Sequence, residues 1–108
     1  MFRVFHSYLT LGEYFTMHKF CDHIKNKSVI SFSYKNTTRV VEPHLLGHDK
    51  DGDLTLSAWQ LSGGSGQGFR DFHVSKISGV ATTGKNFERA RLGYNPNDRT
   101  LSRVLCRI

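Results

Sequence analysis

Basic and aromatic side chains that could recognise an anionic, ring-containing ligand are interleaved along this chain of 108 residues. Cationic groups contact phosphate, and aromatic rings stack on nucleobases, so this combination is typical of proteins that bind single-stranded nucleic acid or nucleotides. A β core with charged outer positions gives the same composition, and composition alone favours that second interpretation. The candidate ligand-binding residues are Tyr34, Arg39, Trp59, Arg70, His73 and Lys76.

The segment 63–68 contains four glycines and raises the question of a phosphate-binding loop. A P-loop requires Lys and then Ser or Thr after its last glycine, whereas Phe69 and Arg70 follow Gly68 here. A dinucleotide-binding loop leads from a strand into a helix, whereas this segment leads into a predicted strand. We therefore predict a flexible hairpin connection.

Metal-binding patterns are weak in this sequence. Asp49, Asp51 and Asp53 have the spacing that starts a calcium loop, but the glycine at its sixth position and the closing glutamate are missing, so a turn is predicted. Two groups of potential zinc ligands lack paired zinc-ligand spacing, and a structural zinc stays the minor interpretation. The two groups are His18, Cys21 and His23, and His44, His48 and Cys106.

No motif marks a catalytic nucleophile with a base, and no pair of carboxylates stands out, although such groups can converge from distant positions. Glu42 and Asp71 are isolated in the sequence. We therefore predict a protein that is not an enzyme and that uses no cofactor and no metal.

The net charge of +6 is concentrated in the C-terminal segment 84–108, which could attract nucleic acid or simply keep the protein soluble. No apolar run is long enough to span a membrane, and the aromatic start lacks the features of a secretory signal. Cys21 and Cys106 lie far apart, and reduced thiols are predicted, with a bridge between them as the open alternative. These features indicate a cytoplasmic protein without membrane contact.

The periodicity of the hydrophobic residues predicts the helices and strands that position the candidate residues. Residues 16–27 are predicted to form a helix with Thr16 as N-cap, and alternation then predicts about five short strands with a turn at 49–53. A second, C-terminal helix is predicted from apolar residues at helical spacing. These residues are Leu101, Val104, Leu105 and Ile108.

The predicted fold class is α+β, mainly β: a small α+β domain or a β-barrel flanked by helices. Residues 1–15 are interpreted as an N-terminal extension. Residues 16–83 would form the β domain with its leading helix, and residues 84–108 a basic turn and helix packed on it.

The order of these pieces resembles the WYL domain, a family named for a Trp-Tyr-Leu tripeptide. Tyr34 ends one strand, residues 39–43 read Arg-Val-Val-Glu-Pro, residues 54–59 occupy the tripeptide strand, and residues 70–77 follow the glycine segment. The resemblance covers about residues 16–80. The tripeptide keeps only its Leu.

In the last motif of this resemblance, His73, Ser75 and Lys76 stand where the family has Arg, Asp and Arg. These changes weaken the expected phosphate binding of the basic pocket, because lysine does not replace arginine where phosphate contact is bidentate. The apolar positions of the motif are retained, so the resemblance in fold is unaffected.

The resemblance implies an Sm- or SH3-like β-barrel of about five strands with an N-terminal helix and a short C-terminal helix. Members of the family are typically ligand-sensing or transcription-regulating modules in bacteria, often attached to a helix-turn-helix domain. The chain has no room for that domain, so we expect a stand-alone module or a fragment of a larger regulator.

We therefore expect a non-enzymatic, WYL-type sensing module for an anionic ligand such as single-stranded nucleic acid or a nucleotide. Arg39 and Arg70 are expected to contact phosphate and Tyr34 and Trp59 to stack, while His73 adds charge at mildly acidic pH. The alternative is a protein-interaction or oligomerisation module, a homodimer or a complex with a partner protein.

Overall fold

A computed structural model describes residues 10–108, and residues 1–9 of the predicted N-terminal extension lie outside the described part. One helix and six strands form an α+β structure that is mainly β, as predicted, with one strand more than expected. These are α1 (Leu11–Asn26), β1 (Ser28–Tyr34), β2 (Thr37–Asp49), β3 (Leu54–Ser62), β4 (Gly68–His73), β5 (Ile77–Asn86) and β6 (Leu101–Arg107).

All strands pair antiparallel in one sheet with the order β4-β3-β2-β1-β5, and β6 pairs with the second half of β2. In residues 10–108 the two end strands, β4 and β5, do not pair with each other, so the sheet is open and is not closed into a barrel. The long strand β2 shifts register against β3 between Pro43 and Leu45. This shift lies at the residue that has no N–H to donate to a ladder.

Helix α1 begins earlier than predicted because Thr10, and not Thr16, is its N-cap. The Thr10 hydroxyl accepts a hydrogen bond from the Glu13 amide, and the Glu13 carboxylate accepts one from the Thr10 amide. This capping box satisfies two amides that the first turn leaves without partners. The hydroxyl of Thr16 instead donates to the Gly12 carbonyl. The helix ends at Asn26, one residue before the predicted end.

Two tight turns fix the register of the central strands. Lys35 and Asn36 both have positive φ, 51° and 63°, which a two-residue hairpin between β1 and β2 requires. The predicted turn after β2 is confirmed: Asp49 Oδ1 accepts hydrogen bonds from the amides of Asp51 and Asp53, both at 2.9 Å.

The predicted C-terminal helix is wrong, because Leu101–Arg107 forms strand β6. The second half of β2 offers a strand to pair with, and the contact requires Gly47, since a Cβ there would lie 2.3 Å from the Arg103 carbonyl oxygen. Pairing across the sheet overrides the helical spacing of the apolar residues. Leu105 and Ile108 still pack against the core.

The predicted reduced thiols are also wrong, because Cys21 of α1 and Cys106 of β6 form a disulfide. The two residues are 85 positions apart, and their spacing in the sequence carries no information about their distance in space. Packing of α1 over the sheet brings their Cα atoms to 5.9 Å, within the usual range for a bridge.

The main core lies between α1 and one face of the sheet, where Phe72 of β4 meets Phe32 and Tyr34 of β1 edge to face. Phe20 and Ile24 supply the buried face of the helix. No helix in residues 10–108 is long and apolar enough to cross a membrane.

Candidate functional site

The glycine-rich loop, residues 63–67, connects β3 to β4, as the sequence predicts. Its carbonyl groups are held by the fully buried side chain of Gln60, whose Nε2 donates to Gly63 O at 2.7 Å and to Gly66 O at 2.6 Å. The Gly66 amide also donates to Gly63 O. Three hydrogen bonds therefore fix the shape of the loop, which distinguishes it from a slack connection.

Arg39 of β2 packs against one side of this loop. Its Nη1 donates to Gln60 Oε1 at 3.1 Å and its Nη2 to Tyr34 O at 3.2 Å, while the guanidinium lies 5.5 Å from the centre of the Tyr34 ring. A Cβ at Gly64 would lie 2.6 Å from Nη1. Glycine at this position thus allows the guanidinium to approach the loop backbone.

Arg70 of β4 packs against the other end of the loop. Its Nη2 donates to Ser65 Oγ at 3.0 Å and to Gly66 O at 3.2 Å, and its Nη1 donates to Phe69 O at 2.9 Å. A Cβ at Gly68 would lie 2.6 Å from Nη1. The two predicted phosphate-binding arginines therefore meet at the same loop.

Neither Arg39 nor Arg70 has a carboxylate partner among the described residues, whereas Arg91 pairs with Glu42. Arg39 and Arg70 donate only to carbonyl, amide and hydroxyl oxygens. Two positive charges are therefore held at the loop by neutral acceptors, and the positive potential there is not cancelled locally.

The buried ring of Tyr34 packs against the guanidinium of Arg39. Its side chain is buried, and its hydroxyl accepts a hydrogen bond from the His73 amide at 3.0 Å. The ring lies under Arg39 and against Phe72, so it holds the guanidinium in place and offers little open surface for stacking.

The imidazole of His73 lies on the opposite face of the sheet from Arg70, since the two are an odd number of residues apart on β4. It faces acids: Nε2 is 3.9 Å from Asp49 Oδ2 and Nδ1 is 3.8 Å from Asp53 Oδ2. Lys76 is exposed in the short 3-10 helix Val74–Lys76. Neither side chain forms a hydrogen bond to the glycine loop.

Asp49, Asp53 and His73 are also the residues that could hold a metal ion, because one ligand atom from each lies within 4.8 Å of the others. The geometry does not favour this role. Asp49 Oδ1 already accepts two turn amides, and the two ring nitrogens of His73 face different carboxylates. An imidazole offers a single nitrogen to one ion.

Trp59 lies on the sheet face opposite Arg39 and Arg70. It pairs with Phe69 across β3 and β4, with ring centres 5.2 Å apart, and the guanidinium of Arg91 covers its ring at 5.2 Å. Of the predicted site residues, the structure thus brings together Tyr34, Arg39 and Arg70, and it places Trp59 away from them.

The face that carries Trp59 contains a polar cluster that the sequence did not reveal. Arg91 binds the buried carboxylate of Glu42, and its amide donates to His44 Nε2 at 3.0 Å. His44 Nδ1 donates to Glu42 O at 2.8 Å, and the ring stacks on Phe87. Burial lowers the pKa of His44, an effect offset in part by Glu42. Both ring nitrogens are used, so none is left for a zinc ion.

Asp71, next to Arg70 on β4, has a pKa above the ordinary value of an aspartate. Partial burial of the carboxyl group raises its pKa, and repulsion from Asp98 adds to the rise, while a hydrogen bond from Ser57 and the charge of His73 oppose it. The side chains of Arg70 and Asp71 point to opposite faces of the strand. The acid therefore does not neutralise the arginine.

Comparisons of this chain with protein-family models, with curated proteins and with solved structures find no match. The loop with Arg39 on one side and Arg70 on the other is therefore the feature of this chain that bears most directly on its function.

Proposed function

We propose that this protein is a non-enzymatic binding module for an anionic ligand, either single-stranded nucleic acid or a nucleotide. The observation that carries the proposal is that Arg39 and Arg70 contact the same loop and have no carboxylate partner among the described residues. A phosphate group supplies the missing negative charge and accepts the planar, paired N–H donors of guanidinium.

The aromatic part of the predicted site has a smaller role in this proposal. Tyr34 is 7% exposed and positions Arg39, and the ring of Trp59 is covered by Arg91. Stacking on Trp59 would require Arg91 to move away. Phosphate contacts are therefore the main source of affinity, and His73 and Lys76 contribute through their longer-range charge.

We also propose that the module is of the WYL type and serves a bacterial regulatory system. The support is the placement of the motif residues on consecutive strands: 39–43 lie on β2, 54–59 on β3, and 70–77 run from β4 into β5. The register shift of β2 at Pro43 is compatible with the strand curvature of an Sm- or SH3-like arrangement.

The proposal is tested by measuring the binding of labelled single-stranded DNA and RNA across a series of salt concentrations. We expect affinity to fall with salt, and Arg70→Ala to weaken binding about tenfold and to reduce the salt slope by about one. Arg89→Ala is the matched control, because Arg89 is exposed and has no ion pair in the described part of the chain.

Two results would count against this function. Equal binding by the wild type and Arg70→Ala would remove the arginine from the site. An affinity that does not change with salt would exclude phosphate contacts as its source.

A second candidate function, a protein-interaction or oligomerisation module, is favoured by strand β5. Among the described strands β5 pairs only with β1, its residues 78–86 are exposed, and 77–84 carry no charge. Such edges accept a strand from another chain. Light scattering after size exclusion tests this candidate: Val80→Lys should convert a dimer into a monomer, and a wild-type monomer at every concentration would reject self-association.

A further inference from the structure

The glycine-rich loop offers unused backbone donors as well as guanidinium groups. The amides of Gly64, Ser65 and Gln67 have no hydrogen-bond partner among residues 10–108, and all three residues are exposed. The loop carbonyls of Gly63 and Gly66, by contrast, each accept two hydrogen bonds. The carbonyls of Gly63 and Gly66 are thus satisfied within the protein, while three loop amides are left for a ligand.

The backbone conformation of the loop is of the kind that forms anion-binding concavities. Gly63, Gly64 and Gly66 have positive φ, 98°, 48° and 96°. Turn conformations of this kind can gather backbone N–H groups into a concavity that binds anions, known as a nest. A Cβ at Gly66 would meet no atom within 4 Å, so the loop is open at this residue.

The two arginines retain donors after their contacts with the protein are made. A guanidinium has five N–H donors. Arg39 uses donors on Nη1 and Nη2 for two hydrogen bonds, and Arg70 uses its Nη groups for three. Each guanidinium can therefore hold the loop and contact a bound anion at the same time.

We infer that the glycine-rich loop is a phosphate-binding subsite, in which the amides of Gly64, Ser65 and Gln67 bind one phosphate group between the guanidiniums of Arg39 and Arg70. This inference rests on the proposed function and adds to it the chemical group and the backbone atoms that bind it. It differs from a P-loop because no helix follows and because the charge comes from arginines on two neighbouring strands.

The test is a titration of the isotope-labelled full chain with inorganic pyrophosphate at constant ionic strength, followed through the backbone amide resonances. We expect saturable shifts of the Gly64, Ser65 and Gln67 amides, and about a tenfold weaker affinity in Arg70→Gln, the loss of one charge-assisted contact. Arg89→Gln should change the affinity less than about twofold. The amide spectrum itself shows whether each variant is folded.

Single-stranded oligonucleotides with and without a 5′-phosphate distinguish the two sources of the group. Tighter binding of the phosphorylated strand assigns the subsite to a terminal phosphate, and equal binding with shifted loop amides assigns it to the sugar-phosphate backbone. Oligonucleotide binding that leaves the loop amides unshifted overturns the subsite and leaves the proposed function standing. Absence of binding by pyrophosphate and by both oligonucleotides overturns both.

An equal loss of pyrophosphate affinity in Arg89→Gln and Arg70→Gln would also overturn the subsite, because it would trace binding to the overall charge of the protein. Ser65→Ala provides a further check. It removes the hydroxyl that accepts from Arg70 but retains the Ser65 amide. Affinity within about twofold of the wild type is expected, because the Ser65 amide is retained and Arg70 keeps its hydrogen bond to Gly66 O.

Discussion

Arg91 binds the buried carboxylate of Glu42 through two hydrogen bonds, Nε to Oε1 at 2.7 Å and Nη2 to Oε2 at 2.9 Å. Glu42 lies on the central strand β2, whereas Arg91 belongs to the irregular segment between β5 and β6. The same guanidinium covers the ring of Trp59. This ion pair therefore fastens the irregular segment to the sheet.

Replacement of Arg91 by methionine should destabilise the protein. It leaves the Glu42 carboxylate buried without its partner, at a cost on the order of 1–3 kcal/mol in the free energy of unfolding. The arginine side chain is 41% exposed, so water can compensate for part of the loss. Urea denaturation measures the change.

Arg89→Met is the control for this experiment, because it removes a nearby exposed arginine that has no ion pair in the described part of the chain. In a Glu42→Leu background, Arg91→Met should lower the free energy of unfolding by a smaller amount, because no buried charge is left unpaired there. An equal cost in both backgrounds would show that the two side chains are not coupled.

Several strand positions were predictable from this sequence, because turn residues separate its apolar runs. The strand predicted to hold residues 54–59 lies within β3, and the turn at 49–53 lies where it was expected. Strand β6 was predicted to be a helix, because its apolar spacing fits a helix and its pairing partner, β2, is distant in the sequence.

The candidate site was predictable only in part, because contacts between residues that are distant in the sequence leave no local pattern. Arg70 was identified from its position after the glycine segment, and Arg39 from a motif. Gln60 was not predicted to belong to the site, because a single glutamine in a strand forms no recognisable sequence motif. Its importance arises from burial under the loop, where one amide group binds two carbonyls and a guanidinium.

Reduction of the disulfide between Cys21 and Cys106 should lower stability substantially. The bridge closes a long loop between residues that are 85 positions apart, and loss of such a constraint costs roughly 2–5 kcal/mol. Denaturation with and without reductant measures the effect. The double variant Cys21→Ala/Cys106→Ala should be as unstable as the reduced protein and insensitive to reductant. Two free thiols in protein purified without reductant would contradict the bridge.

Stability should fall as the pH drops below the ordinary pKa of histidine, 6.5. Burial lowers the pKa of His44 in the folded protein, so the unfolded chain binds a proton first. The contribution of neutral His44 to the free energy of unfolding is fully present above pH 6.5, and it declines below that pH until the folded ring also becomes protonated. For this one group the slope is at most about 1.4 kcal/mol per pH unit.

Urea denaturation of the wild type and of His44→Phe between about pH 5 and pH 8 tests this expectation. The phenylalanine variant should lose part of the slope, whatever its stability at neutral pH. His23→Gln is run in parallel, because burial also lowers the pKa of His23, on α1. A slope that is unchanged in His44→Phe would assign the whole pH dependence to other groups.

Replacement of Gln60 by methionine should loosen the glycine-rich loop while keeping a side chain of similar size. Gly63 O and Gly66 O lose a donor and Arg39 loses an acceptor, which should cost about 1–3 kcal/mol of stability. Hydrogen exchange of the Gly66 amide, which donates to Gly63 O, should become faster. Gln67→Met is the matched control, since Gln67 is an exposed glutamine of the same loop. If both variants show the same exchange and stability, Gln60 does not shape the loop.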